Sequence, residues 1–266
     1  MHGTFRLELL TEQATGQTQG PPLLFIHGAF SGAWQWAPNY LPFFASRGWA
    51  VHALSLSGHG DSRGHAGADN FSIDDYVRDL HDVVARLPAE PVLIGHSMGG
   101  MVVQKYLEES SAPAAVLMAA VPPQGLLPAT FGLAMQRPNV LIDLNRLMSG
   151  GAPHLASVRE GLFHQPIDDA ALMDFLQHCQ PESLRAIWDM SLFNLPRPAR
   201  MHRPPMLVVG AAEDRIIPAG EVERTAQTYG LSAHIFPDMG HAMMLEENWR
   251  GPAELIDRWL RETLLT

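Results

Sequence analysis

The chain has 266 residues, 46% of them hydrophobic and 17% charged, a balance that supports one packed α/β domain with an insertion and argues against long disorder. A formal net charge of −10 repels phosphate backbones and anionic lipid, so neither nucleic acid nor a membrane is an expected partner. The N-terminal ten residues lack the apolar stretch of a signal peptide, and no run approaches the roughly 20 apolar residues of a bilayer span, so a soluble, cytoplasmic protein is expected.

In chain order, Phe5, Leu7 and Leu9 alternate with Arg6 and Glu8 in the period of a half-buried edge strand, before Gly16 and Gly20-Pro21-Pro22 break the chain. Short apolar runs at 23–26, 50–54, 92–94, 115–118 and 206–209, bounded by Gly or Pro, suit strands buried on both faces of a parallel sheet. Between them a helix is predicted to open at Ser72, with Asp75 favouring its first turn, an apolar stripe from Ile73 to Val84, and Pro88 closing it. Further helices are predicted over 98–109, 221–229 and 252–264, the last with Leu255, Ile256, Trp259 and Leu260 inward. Strand and helix thus alternate as in a doubly wound sheet. From 122 to 205 the alternation lapses into helix-like segments rich in Leu, Met and Phe, flanked by the stiff junctions Val121-Pro122-Pro123 and Arg203-Pro204-Pro205. The expected division is a core of residues 1–121 and 206–266 with a helical cap insertion at 122–205.

The strongest local signal is Gly95-His96-Ser97-Met98-Gly99, a G-x-S-x-G pentapeptide between a predicted strand and a predicted helix. A nucleophile on so sharp a turn needs tiny neighbours, which Gly95, Gly99 and Gly100 supply. Ser97 is the candidate nucleophile, and the Met98 amide, at a helix N-terminus, points where negative charge develops on an attacked carbonyl. A serine hydroxyl needs a base within reach and a third group to fix that base's tautomer. Such scaffolds place the acid after a late strand and the histidine near the end of the chain; Asp214 and His241 stand there. Glu213 beside Asp214 and Asp238 near His241 are competing acids, and the chain holds thirteen histidines. The Ala29 amide, in the loop after the 23–26 strand, is the candidate second oxyanion donor, with Gly28 easing the turn. His27, His59 and His96 read as scaffold or rim residues, and the lone Cys179, which precludes an internal disulfide or a cysteine-based zinc site, as a small buried hydrophobe.

His27-Gly28-Ala29, Gly58-His59-Gly60-Asp61-Ser62, Gly95-His96-Ser97-Met98-Gly99-Gly100, Asp214 and Gly240-His241, in that order, resemble the α/β-hydrolase superfamily over nearly the whole chain. The resemblance implies the α/β-hydrolase fold: a mostly parallel eight-stranded sheet with flanking helices, a cap after the sixth strand, and chemistry through a Ser-His-Asp triad without cofactor or metal. The stretch from His27 to Trp36 is further similar to the branch of plant methylesterases and hydroxynitrile lyases. Gly28 and Ala242 stand where those lyases carry Thr and Lys, which favours hydrolysis. Ser55 stands where many relatives have Asp, a departure that bears on the packing of the Gly58–Gly60 loop.

The function expected is a carboxylic ester hydrolase forming an acyl-enzyme on Ser97 with a small, largely apolar or aromatic substrate. Phe30, Leu126, Phe131, Trp188, Phe193 and Met243 are expected to line the pocket, with Leu127, Met135, Leu144, Met148 and Phe163 as further cap candidates. Rival readings keep the site for perhydrolysis, C–C, thioester or lactone hydrolysis, or for a ligand receptor with negligible turnover. A monomer and a homodimer are equally compatible with the composition.

Overall fold

The computed structural model describes residues 7–17, 20–65 and 70–265. Seven strands form one sheet: β1 (Leu9–Glu12), β2 (Leu23–Ile26), β3 (Val51–Leu54), β4 (Val92–His96), β5 (Ala115–Met118), β6 (Met206–Ala211) and β7 (Ala233–Phe236), in spatial order β1-β3-β2-β4-β5-β6-β7. Every neighbouring pair is parallel except β1 with β3. The eight strands expected from the resemblance are corrected to seven among the described residues. The predicted edge strand also lies further along the chain than its alternation suggested: Leu7 is buried ahead of β1, and Phe5 and Arg6 lie outside the described residues.

All residues of β2 to β6 are buried. Because side chains alternate across a strand, Leu24 and Ile26 feed one core while Leu23 and Phe25 feed the other. Helices α2 (Ile73–Val84), α3 (Met98–Tyr106) and α9 (Ala219–Thr228) cover the first face; α1 (Tyr40–Ser46) and α10 (Arg250–Leu264) cover the second. On that second face Phe25 lies 5.0 Å from Trp36 and 5.6 Å from Phe44, ring centre to ring centre. At the start of α2 the Ser72 hydroxyl accepts the Asp75 N–H while the Asp75 carboxylate accepts the Ser72 N–H, a capping box that fixes where the helix begins. The predicted ends of α3 and α9 hold to within a few residues, and α10 opens two residues early, at Arg250, with Ile256 and Leu260 fully buried as expected.

Between β5 and β6 the chain forms helices α4 (Leu127–Gln136), α5 (Pro138–Met148), α6 (Leu155–Leu162), α7 (Asp169–His178) and α8 (Leu184–Trp188), with a π-helical turn over Asp189–Phe193. No helix among the described residues is long and apolar enough to cross a membrane.

One buried knot ties this helical segment to the sheet. The Glu182 carboxylate, between α7 and α8, accepts the Tyr76 hydroxyl at 2.6 Å and the Ser183 N–H at 2.7 Å, and lies 3.0 Å from His59 Nε2. Burial alone would raise the Glu182 pKa; the His59 ring, the Tyr76 hydroxyl and the Ser183 amide outweigh it and hold the carboxyl below its usual range. Ser55 belongs to the same region: its hydroxyl accepts the Ala33 N–H and donates to Glu8, whose carboxylate also accepts the Asp61 N–H beside Gly60.

A carboxyl whose pKa falls on folding adds stability above its unfolded value, and that stability is lost as pH drops through the folded value. Glu182→Gln should therefore cost about 3–5 kcal/mol at pH 7, as for a broken buried pair. In urea denaturation the gap between variant and wild type should narrow below about pH 4, as the wild-type carboxyl takes up its proton.

Candidate active site

Strand β4 ends at His96 and helix α3 begins at Met98, leaving Ser97 to make the whole turn with φ 51° and ψ −116°. That conformation is costly for a residue with a Cβ, on the order of 1–3 kcal/mol, and persists only where its surroundings dictate it. Here they do. The Ser97 N–H donates to the Met118 carbonyl, and the Ser97 carbonyl accepts the N–H groups of Gly100 and Val121, each at 3.0 Å. A Cβ on Gly99 would stand 2.3 Å from the Ile26 carbonyl oxygen, and one on Gly95 2.4 Å from that of Gly99. The backbones touch, so the glycines are a steric requirement.

The loop after β6 carries Asp214 and the loop after β7 carries His241. His241 Nε2 lies 3.1 Å from Ser97 Oγ and His241 Nδ1 lies 2.7 Å from Asp214 Oδ2, with all three residues buried. The other carboxylate oxygen, Oδ1, accepts the N–H groups of Ile216 and Ile217, both at 2.8 Å, which fixes the carboxylate plane. Neither competing acid reaches the imidazole: Glu213 pairs with Arg215 at 2.8 Å, and Asp238 turns at φ 50° with its carbonyl accepting the Gln165 amide.

The three flanking histidines hold the scaffold. His27 Nδ1–H donates to the Gly28 carbonyl and its Nε2 accepts the Leu56 N–H; burial, with the neighbouring His59 imidazole adding to it, lowers its pKa to about 3 and keeps it neutral. His96 is likewise held neutral by burial, and its Nε2–H donates to the His241 carbonyl at 3.0 Å, bracing the backbone of the candidate base. His59 faces Glu182.

Above Ser97 opens a cavity of ≈ 480 Å³, lined from the sheet side by residues that include Ala29, Phe30, Ser97, Met98, Ile216 and His241, and on its other walls by the helical segment. Of the expected lining residues Phe30, Leu126 and Trp188 face it, as do Leu127, Leu144 and Met148. Five expectations are corrected. Phe131 is 70% exposed, because α4 turns Ala129, Thr130 and Leu133 to the cavity and position 131 falls on the opposite side; Met135 shares that outer side. Phe193 is exposed, its ring 6.0 Å from that of Trp188. Met243 is fully buried in the core beneath the cavity, and its neighbour Met244 lines the cavity instead. Phe163 packs with Val158, Leu172 and Ala242 in a separate cluster. Cys179 lines the cavity with its thiol pushed up to about 12 by burial, so it is not a nucleophile near neutral pH. Among the described residues no group of three or more His, Cys, Asp or Glu could hold a metal ion.

The residue-by-residue reading overlooked Glu246. The residue is 2% exposed and its carboxylate accepts three backbone N–H groups, yet in the sequence it is one acid of a Glu-Glu pair, indistinguishable from a solvated one.

Fold and site together define a class. The chain belongs to the alpha/beta hydrolase family, whose pattern matches residues 23–257. It is similar to a pyrethroid hydrolase of Sphingobium wenxiniae, 33% identical over 117 residues, which is 42% of this chain and 40% of that protein. It is also similar to a non-heme chloroperoxidase of Burkholderia pyrrocinia, 36% identical over 114 residues, 41% of this chain and 40% of that one. The chain thus matches about two fifths of the length of these relatives. An esterase from Exiguobacterium antarcticum superposes with a TM-score of 0.77 over 97% of this chain and 96% of its own at 18% identity, a likeness of fold.

Gly99→Ala should lower stability by at least the ~1–3 kcal/mol typical of overpacking, since its new methyl group meets backbone that cannot yield. Gly132→Ala, in α4 with nothing within 4 Å of the added carbon, should be neutral or stabilising by up to about 1 kcal/mol. Paired urea-denaturation midpoints check both.

Proposed function

We propose that the protein is a serine hydrolase of carboxylic esters, acting through an acyl-enzyme on Ser97. The observation that carries this reading is the hydrogen-bonded line Ser97–His241–Asp214 at the floor of a largely apolar cavity. Ser97 Oγ attacks the ester carbonyl as His241 Nε2 takes its proton. The tetrahedral intermediate collapses, its C–O bond to the alcohol breaks, and His241 returns the proton to the departing oxygen. Water then repeats the sequence on the acyl-enzyme, releasing the carboxylic acid and free Ser97. Asp214, held by two amides, keeps the proton of neutral His241 on Nδ1 and stabilises the imidazolium that forms. The N–H of Met98, first in its helix and without a carbonyl one turn back, and the N–H of Ala29 receive the developing oxyanion; each such donor contributes about 3 kcal/mol to the transition state.

The helical segment at 122–205 acts in this reading as a cap that sets substrate choice. Its contribution to the cavity is mostly Leu, Met, Ile and Val, and Leu127 and Trp188 line it while remaining half exposed to solvent. Such walls favour small to medium apolar or aromatic esters over charged ones. The similarity to a non-heme chloroperoxidase supports a second reading, perhydrolysis: hydrogen peroxide in place of water attacks the acyl-enzyme, giving a peracid and free serine.

Ser97→Ala should abolish hydrolysis of p-nitrophenyl butyrate, a loss on the order of 10⁶-fold in kcat, and covalent labelling by a fluorophosphonate, with the melting temperature within a few degrees of wild type. Turnover near wild type in that variant would refute the assignment. Peracid formation from acetate and peroxide, assayed by halide oxidation, distinguishes the second reading.

A further inference from the structure

The loop that presents His241 is held from three directions. Its Met239 carbonyl accepts the Glu213 N–H from the loop after β6, and its His241 carbonyl accepts His96 Nε2–H from the nucleophile turn. The third direction is the helical segment, and there the contacts converge on one carboxylate. Glu246 Oε1 accepts the Gly240 N–H at 2.9 Å and the His164 N–H at 2.6 Å, while Oε2 accepts the Gln165 N–H at 3.0 Å. Around it, the Ala242 N–H donates to the Leu162 carbonyl, the Gln165 amide donates to the Asp238 carbonyl, and its oxygen accepts the Asn248 N–H. Gly240 has no space for a side chain, since a Cβ there would lie 2.7 Å from both Glu246 Oε1 and the His164 nitrogen.

We propose that Glu246 is a positioning residue for the hydrolytic reaction, the link through which residues 162–165 of the helical segment set the height of His241 over Ser97. A carboxylate suits this task because both oxygens only accept, and three amide hydrogens from two chain segments point at it. The segment that shapes the substrate cavity and the loop that carries the base are thereby one hydrogen-bonded unit. Glu246 does not line the cavity, although its neighbour Leu245 does, so its effect falls on the chemical step and not on substrate affinity.

The inference rests on the serine-hydrolase reading, and the test separates the two. In Glu246→Gln the amide places an N–H₂ against at least one backbone N–H. Its fluorophosphonate inactivation rate per titrated active site should fall tenfold or more, with kcat falling equally and KM within about twofold of wild type. The downfield proton resonance of the Asp214–His241 hydrogen bond should broaden or vanish. Glu246→Asp, which keeps the charge but withdraws it by one methylene, should fall between the two and supplies the measurement if the Gln variant does not fold. Glu221→Gln, a buried carboxylate on α9 away from the cavity, should alter the melting temperature but not the per-site rate. A Glu246 variant with a lower melting temperature or fewer active sites, yet a wild-type rate per site, would overturn the proposal. A wild-type protein that takes no fluorophosphonate label would overturn the hydrolase reading instead.

Discussion

The structure turns on the close approach of three backbones beneath Ser97. Strand β4, helix α3 and the end of strand β2 meet where Gly95, Gly99 and Gly100 remove every Cβ that would stand in the way. The left-handed conformation of Ser97 is the price of that approach, and bonds to Met118, Gly100 and Val121 hold it there. With β4 central in the sheet, the serine stands at the carboxyl end of the strands, where the loops after β2, β6 and β7 also emerge. Ala29, Met98, Asp214 and His241 are thereby brought around Ser97.

The same region shows how one residue type takes several duties according to its surroundings. His27 and His96 are buried without a carboxylate partner, so they stay neutral and each spends an N–H on a carbonyl. His59 is equally buried but faces Glu182, and joins the knot that fastens the helical segment to the sheet. His241 alone has a carboxylate on one nitrogen and a serine hydroxyl on the other. Partner geometry, and not residue identity, separates these four roles.

The helical segment between β5 and β6 is apolar on two sides. Its inner surface walls the cavity, and nine of the ten large hydrophobic side chains more than a third exposed among the described residues belong to it, of which only Leu127 and Trp188 also line the cavity. Its anchorage is polar: Glu182 and Ser183 at one root, and Glu246 with Gln165 over the His241 loop. Buried polar bonds of this kind specify one arrangement among the many that apolar packing alone would tolerate.

The sequence by itself determined the alternation of strand and helix and the run of helices between β5 and β6, and it singled out Ser97, Asp214 and His241 as candidates, which the structure brings within hydrogen-bond distance of one another. Those features are local: a buried strand is a short apolar run, and a nucleophile turn shows itself in its glycines. It also ranked Asp214 above Glu213 from position in the chain, and the structure brings only Asp214 to the imidazole. Tertiary structure alone decided which apolar side chains face the cavity, because Phe131 and Leu133 differ by helical phase and Met243 and Met244 by the path of one turn. It alone decided what Glu246 binds, since a buried carboxylate is told from a solvated one only by the amides that converge on it from residues 164, 165 and 240. Patterns along a chain record what each residue prefers; which distant groups answer that preference is fixed only when the chain closes on itself.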